Sequence, residues 1–265
     1  MKRLLLALLL VAGPAAAGPR VQSADYCADQ YVLTLADRTD IAALSPEAAQ
    51  PFSHLAAVAR SAPKARPDVE SVAASGAEIV LRTYGGDAAA LKRVAAVETL
   101  EDANDFDGVK RNIRQTARVL DAEARGNLLI EQLDRRLAAL AARPPLAVAA
   151  LYVTPGGVTA GRGVFVDALF RAAGVANAAA EAGLEGWPSA PLEALVLDPP
   201  AMVVTGFFDA STAGADHWSM ARHPAWKSVF KDRVVVALPQ DLIACPAWFS
   251  VEAAERIRDA AERAQ

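Results

Sequence analysis

One helix–turn–strand unit occurs twice in this chain, once in each half. A sequence built this way is committed to two similar lobes. The first copy runs from Pro67 to Leu81 and the second from Ala190 to Val204. Each opens with a short amphipathic helical stretch headed by a glutamate, Glu70 in one and Glu193 in the other. Each then turns and ends in an apolar run suited to a buried strand. Around both copies short apolar runs alternate with helical patterns, as in Glu78–Leu81 and Val97–Leu100, or Leu146–Val153 and Met202–Thr205. That rhythm implies an α/β fold of parallel sheets with helices on both faces.

Between the halves lies the longest uninterrupted helical pattern, 107–142, with Val109, Ile113, Ala117 and Leu120 on one face and a break or kink expected near Asp121. A helix of ~35 residues runs ~50 Å at 1.5 Å per residue, longer than one α/β layer needs. It suits a strut joining two lobes. The expected organisation is a leader at 1–17, an N-terminal lobe at 18–106, a backbone helix at 107–142 and a C-terminal lobe at 143–265, with a ligand cleft between the lobes. The leader reads from Lys2-Arg3, the apolar run Leu4–Ala12 and Ala15-Ala16-Ala17, an export signal cleaved after Ala17. Its apolar run is too short to span a ~30 Å bilayer core.

The chain has 27 basic and 31 acidic residues, and loss of Lys2 and Arg3 makes it more acidic. With no basic stripe, nucleic-acid binding is excluded. Two cysteines, Cys27 and Cys245, remain after export to an oxidising compartment and form a candidate disulfide; two buried thiols that never meet are the alternative.

No catalytic constellation stands out. Thr154–Gly163 is glycine-rich between a strand and a helix, but Val166 occupies the third glycine position of a dinucleotide fingerprint and no Walker lysine follows. It reads as a flexible loop at a cleft mouth. His54, His217 and His223 show no metal-ligand spacing. No Gly-x-Ser-x-Gly elbow occurs. Asp25, Asp29, Asp102 and Asp105 read as solvated loop acids. The aromatics are more telling. Tyr26, Tyr84, Trp187, Phe207, Phe208, Trp218 and Trp248 fall at strand ends or in loops. In open parallel sheets the ligand crevice lies beyond the carboxyl ends of the strands. Aromatics gathered there suit a large planar or apolar ligand.

These segments resemble the periplasmic binding proteins that feed ABC importers of cobalamin, ferric siderophores and haem, the class with a helical backbone. The resemblance covers about 20–263. It rests on the 107–142 helix and on the doubled Leu-Glu segment, as Val69-Glu70 through Val80 and Leu192-Glu193 through Val204. Gly76-Ala77 and Pro199-Pro200-Ala201 stand where Pro-Asp is usual. The resemblance implies that Glu70 and Glu193 dock on arginines of an inner-membrane permease dimer. It also implies a periplasmic, monomeric binding protein that is not an enzyme and carries no cofactor or metal. Tyr84-Gly85-Gly86 is similar to the family's strand-end turn in the cleft. Trp187-Pro188 is similar to a Trp-Pro of cobalamin-binding members, in which the Trp packs on the corrinoid. Lys64 stands where those members carry another Trp. Cobalamin is therefore the first expectation, with a ferric siderophore or haem as the alternative. Arg82, Arg162 and Arg222 are the cations that a siderophore would use. A metal-dependent enzyme on a bilobed scaffold is the alternative of another class.

Overall fold

The computed structural model describes residues 18–84, 88–207 and 230–265. The leader, Gly85 and Gly86, and the segment with Phe208, His217, Trp218, Arg222 and His223 lie outside the described residues. Strands β1 (Val21–Ser23), β2 (Ile41–Ala43), β3 (Ile79–Arg82) and β4 (Ala96–Thr99) form one all-parallel sheet in the order β2-β1-β3-β4. β5 (Ala149–Val153), β6 (Ala176–Asn177), β7 (Met202–Thr205) and β8 (Val234–Ala237) form a second, also parallel, in the order β6-β5-β7-β8. The two windings match. In the second sheet the central strands are apolar and covered on both faces: Leu151 to Val153 and Met202 to Val204 are buried.

The doubled unit is equivalent in three dimensions. α3 (Val69–Ser75) leads into β3, and α8 (Leu192–Leu197) leads into β7, its counterpart in the second sheet. Asp68 caps α3 by accepting the Ser71 N–H at 2.7 Å, and Gly76 ends it at φ 66°, a conformation that favours glycine. Glu70 and Glu193 are both exposed.

The long helical pattern is divided. α4 (Phe106–Val119), capped by Asp105, ends where Asp121 adopts φ 51°, and α5 (Glu123–Ala141) follows. Contacts pair residues on either side of that turn: Gly126 lies against Ala117, and Lys110 meets Asp134 at 2.7 Å. The two helices are therefore an antiparallel hairpin. A Cβ on Gly126 would stand 2.6 Å from that of Ala117, so the close approach needs the glycine. The strut between the lobes is thus α5 and not the whole of 107–142. Its far half is tied to the closing helix α10 (Val251–Ala264) by the bidentate Arg136–Glu255 pair, at 2.8 and 2.6 Å. Between β3 and β4 the chain forms a 3₁₀ turn at Leu91–Arg93. Among the described residues no helix is long and apolar enough to cross a membrane.

Two of the loop acids are not solvated. Asp25 caps α1 (Tyr26–Leu35), accepting from the N–H groups of Cys27 and Ala28. Asp29, fully buried in α1, accepts from the Ser45 N–H at 2.9 Å, the Ser45 hydroxyl at 2.6 Å and the Ser23 hydroxyl. It thereby joins α1, β1 and the end of β2. Burial outweighs these bonds and raises its carboxyl from 3.8 to about 6. The folded state therefore holds the proton more tightly, and this group's contribution to stability is full at acid pH and lost as pH rises through about 6. Asp29→Asn removes the titration. Denaturant melts should show wild type losing about 2–3 kcal/mol relative to this variant between pH 4 and pH 7. A pH-independent difference would exclude the shift.

Candidate functional site

Strand ends of each lobe line a cavity. In the N-terminal lobe, Asp25 accepts the Thr83 N–H at 2.8 Å and the Thr83 hydroxyl at 2.7 Å, fixing the end of β3 against the start of α1. This sets Tyr84 beside Tyr26, with ring centroids 5.8 Å apart, and Tyr26 edge-on to Phe52 at 5.0 Å. Tyr26, Tyr84, Arg82 and Asp68 are among the residues lining a cavity of about 690 Å³. Tyr84 is half exposed, and its hydroxyl donates to Cys27 Sγ at 3.4 Å. Partial burial, then the neighbouring Tyr26 and Asp25, push its phenol far above the usual range, so it stays protonated.

In the C-terminal lobe the glycine-rich segment is not a free loop. Its backbone pairs with residues 184–190: the Thr159 N–H donates to Pro188 O at 2.9 Å, the Gly161 N–H to Gly186 O at 2.9 Å and the Arg162 N–H to Leu184 O at 2.8 Å. A Cβ on Gly161 would lie 2.5 Å from Leu184 O, so the glycine is required for this approach and not for a nucleotide. The paired segment carries Trp187, half exposed, onto Tyr152 of β5, edge-on at 6.1 Å.

A second cavity, of about 420 Å³, lies between the lobes. Pro51 contributes from one side, and Thr205, Phe207, Leu238 and Asp241 from the other. Two aromatic groups thus stand near this cavity: Tyr84, Tyr26 and Phe52 in the N-terminal lobe, and in the C-terminal lobe Trp187 on Tyr152, whose phenol abuts Gly206 beside the cavity-lining Phe207. Gly85, Gly86, Phe208 and Trp218 lie outside the described residues. Trp248 is partly buried and packs edge-on against Tyr31 at 5.3 Å and Phe249 at 5.4 Å, beside the core at the seam between the lobes.

That seam is stapled. Cys27 at the start of α1 and Cys245, between α9 (Gln240–Ile243) and α10, are joined in a disulfide with Cα atoms 5.5 Å apart. Beside it the Tyr26 hydroxyl donates to Ala244 O and the Tyr31 hydroxyl to Pro246 O, both at 3.3 Å. His54 stacks on Phe249 at 4.0 Å and reaches Asp241 at 3.3 Å. Its partners explain His54 without a metal, and the described residues hold no cluster able to bind one.

Phe52, Tyr152 and Asp241 are not among the candidate site residues of the sequence, and His54 is weighed there only as a metal ligand. An aromatic pair in the proline-rich 45–68 stretch and a lone Tyr in an apolar strand were the available signals.

The sequence matches the model of the family described as periplasmic binding protein over residues 29–253. No curated protein matches the chain. Among solved structures, the periplasmic haem-binding protein HutB of Vibrio cholerae superposes with TM-score 0.74 at 18% identity, over 91% of this chain and 98% of that one. The haem-binding protein RhuT from Roseiflexus sp. RS-1 in apo form gives 0.70 at 21%, over 92% and 100%. The vitamin B12 binding protein BtuF of Vibrio cholerae gives 0.66 at 17%, over 94% and 98%. At such identities the likeness establishes the fold alone.

Proposed function

The chain belongs to the periplasmic binding protein family, and from that premise we propose that it captures a large metal chelate in the periplasm and delivers it to an ABC permease. Cobalamin or a related corrinoid is the leading ligand. The observation that carries this reading is that each lobe presents an aromatic group with a half-exposed ring, Tyr84 in one and Trp187 in the other. Ring faces hold flat ligands through buried area and stacking. The two cavities fall within the ~300–1,000 Å³ range of ordinary ligand pockets, so a corrinoid would be held between the lobes and not engulfed by one. Tyr84 stays protonated, its hydroxyl donating to Cys27 Sγ, and its half-exposed ring can stack. That suits a ligand whose metal is already coordinated.

A second reading is haem. The haem-binding proteins HutB and RhuT superpose with higher TM-scores than BtuF does. A ferric siderophore would draw on Arg82 at the floor of the N-terminal cavity.

Removing the Trp187 ring tests the leading reading. Trp187→Ala should weaken cyanocobalamin binding about tenfold or more, which is about 1.4 kcal/mol or more, in an equilibrium dialysis series. An unchanged affinity would remove Trp187 from the site and with it the argument for a corrinoid.

A further inference from the structure

Tyr152 is fully buried, and its hydroxyl has no hydrogen-bond partner among the described residues. Phenylalanine would fill the same space without leaving a buried donor unpaired, which is costly in a protein interior. The hydroxyl lies against Gly206, where a Cβ would collide with it and stand 2.7 Å from Ile243 Cδ1. The next residue, Phe207, holds φ at 61°, a left-handed conformation that bulky residues rarely adopt. Thr205 and Phe207 both line the cavity between the lobes. An unpaired buried hydroxyl therefore lies behind a strained backbone that lines that cavity.

We propose that Tyr152, Gly206 and Phe207 form a ligand-responsive floor, an inference that rests on a chelate occupying the cleft. Rotation of the single peptide between Gly206 and Phe207 changes φ of Phe207 and turns the Gly206 carbonyl together. With the cavity filled, Phe207 leaves the left-handed region and that carbonyl accepts the Tyr152 hydroxyl. Gly206 has no Cβ to obstruct the turn. Tyr152 is then a positioning residue: it acts on the ligand through Phe207 and through the Trp187 ring that it supports, and does not touch the ligand itself.

The test is Tyr152→Phe in the oxidised, processed protein. Two readouts are taken: the thermal midpoint without ligand, and the affinity for haemin, cyanocobalamin and ferrichrome by tryptophan quenching. The expected result is a midpoint unchanged or raised by about 2–4 °C, with about tenfold weaker binding of whichever probe the unaltered protein takes. A lowered midpoint would mean that the hydroxyl already has a partner in the empty protein and would overturn the proposal. Equal affinity for the two proteins, the outcome expected if Tyr152 only packs, would overturn it too. If no probe binds the unaltered protein, the proposed function fails, while the direction of the midpoint still decides whether the hydroxyl is unpaired.

Discussion

Replacing Cys27 and Cys245 together by serine should lower the thermal midpoint by about 5–15 °C, the equivalent of about 2–5 kcal/mol in a chain of this size. The bond joins residues 218 apart in sequence, one in each lobe. It therefore restricts the unfolded chain heavily and gives the lobes a second covalent link beside α5. The variant should still fold, because the hydroxyls of Tyr26 and Tyr31 and the His54–Asp241 contact hold the same seam. Ligand affinity should also fall, since a loosened seam leaves the two halves of the cleft less preorganised. Calorimetric scans of the oxidised protein, the reduced protein and the double variant compare these directly. Coincident midpoints would show that the staple contributes nothing in solution.

The second large effect concerns delivery. In cells carrying the cognate permease, Glu70→Ala with Glu193→Ala should reduce uptake by well over tenfold while leaving ligand affinity unchanged. Hydrogen bonds to a charged partner are worth about 1.5–3 kcal/mol each, and charge-assisted pairing with arginine is the stronger kind. Both carboxylates are exposed on helices that occupy equivalent places in the two lobes, and neither lines the described cavities between or within them. Loss of ligand affinity in each single variant would assign the glutamates to the cleft instead.

The architecture was legible in the sequence where periodicity and chain order carry it. The doubled Glu-headed unit marked two lobes of the same winding, and apolar runs such as Met202–Thr205 marked buried parallel strands. The reversal at Asp121 was not legible as such. The apolar face of α4 continues into that of α5 with little change of period, and only the left-handed φ of Asp121 turns one strut into a hairpin. Of the candidate site, positions were legible: Tyr26, Tyr84, Trp187 and Phe207 stood out because aromatics at strand ends and in loops have few packing duties. Tyr152 was hidden because a Tyr within an apolar strand reads as core, and only its unpaired hydroxyl distinguishes it. Trp248 follows a loop in sequence, and the disulfide beside it draws that loop against the core. Asp25 and Asp29 read as surface acids because no local pattern reports a cap, or a pair of serines brought together from distant positions.

The central claim is that the two lobes form one cleft for a metal chelate. Isothermal titration of the processed, oxidised protein with cyanocobalamin, haemin and ferrichrome tests it most directly. Saturable, sub-micromolar binding of one of the three is the result expected here, with cyanocobalamin first. Heats of dilution alone with all three would contradict it.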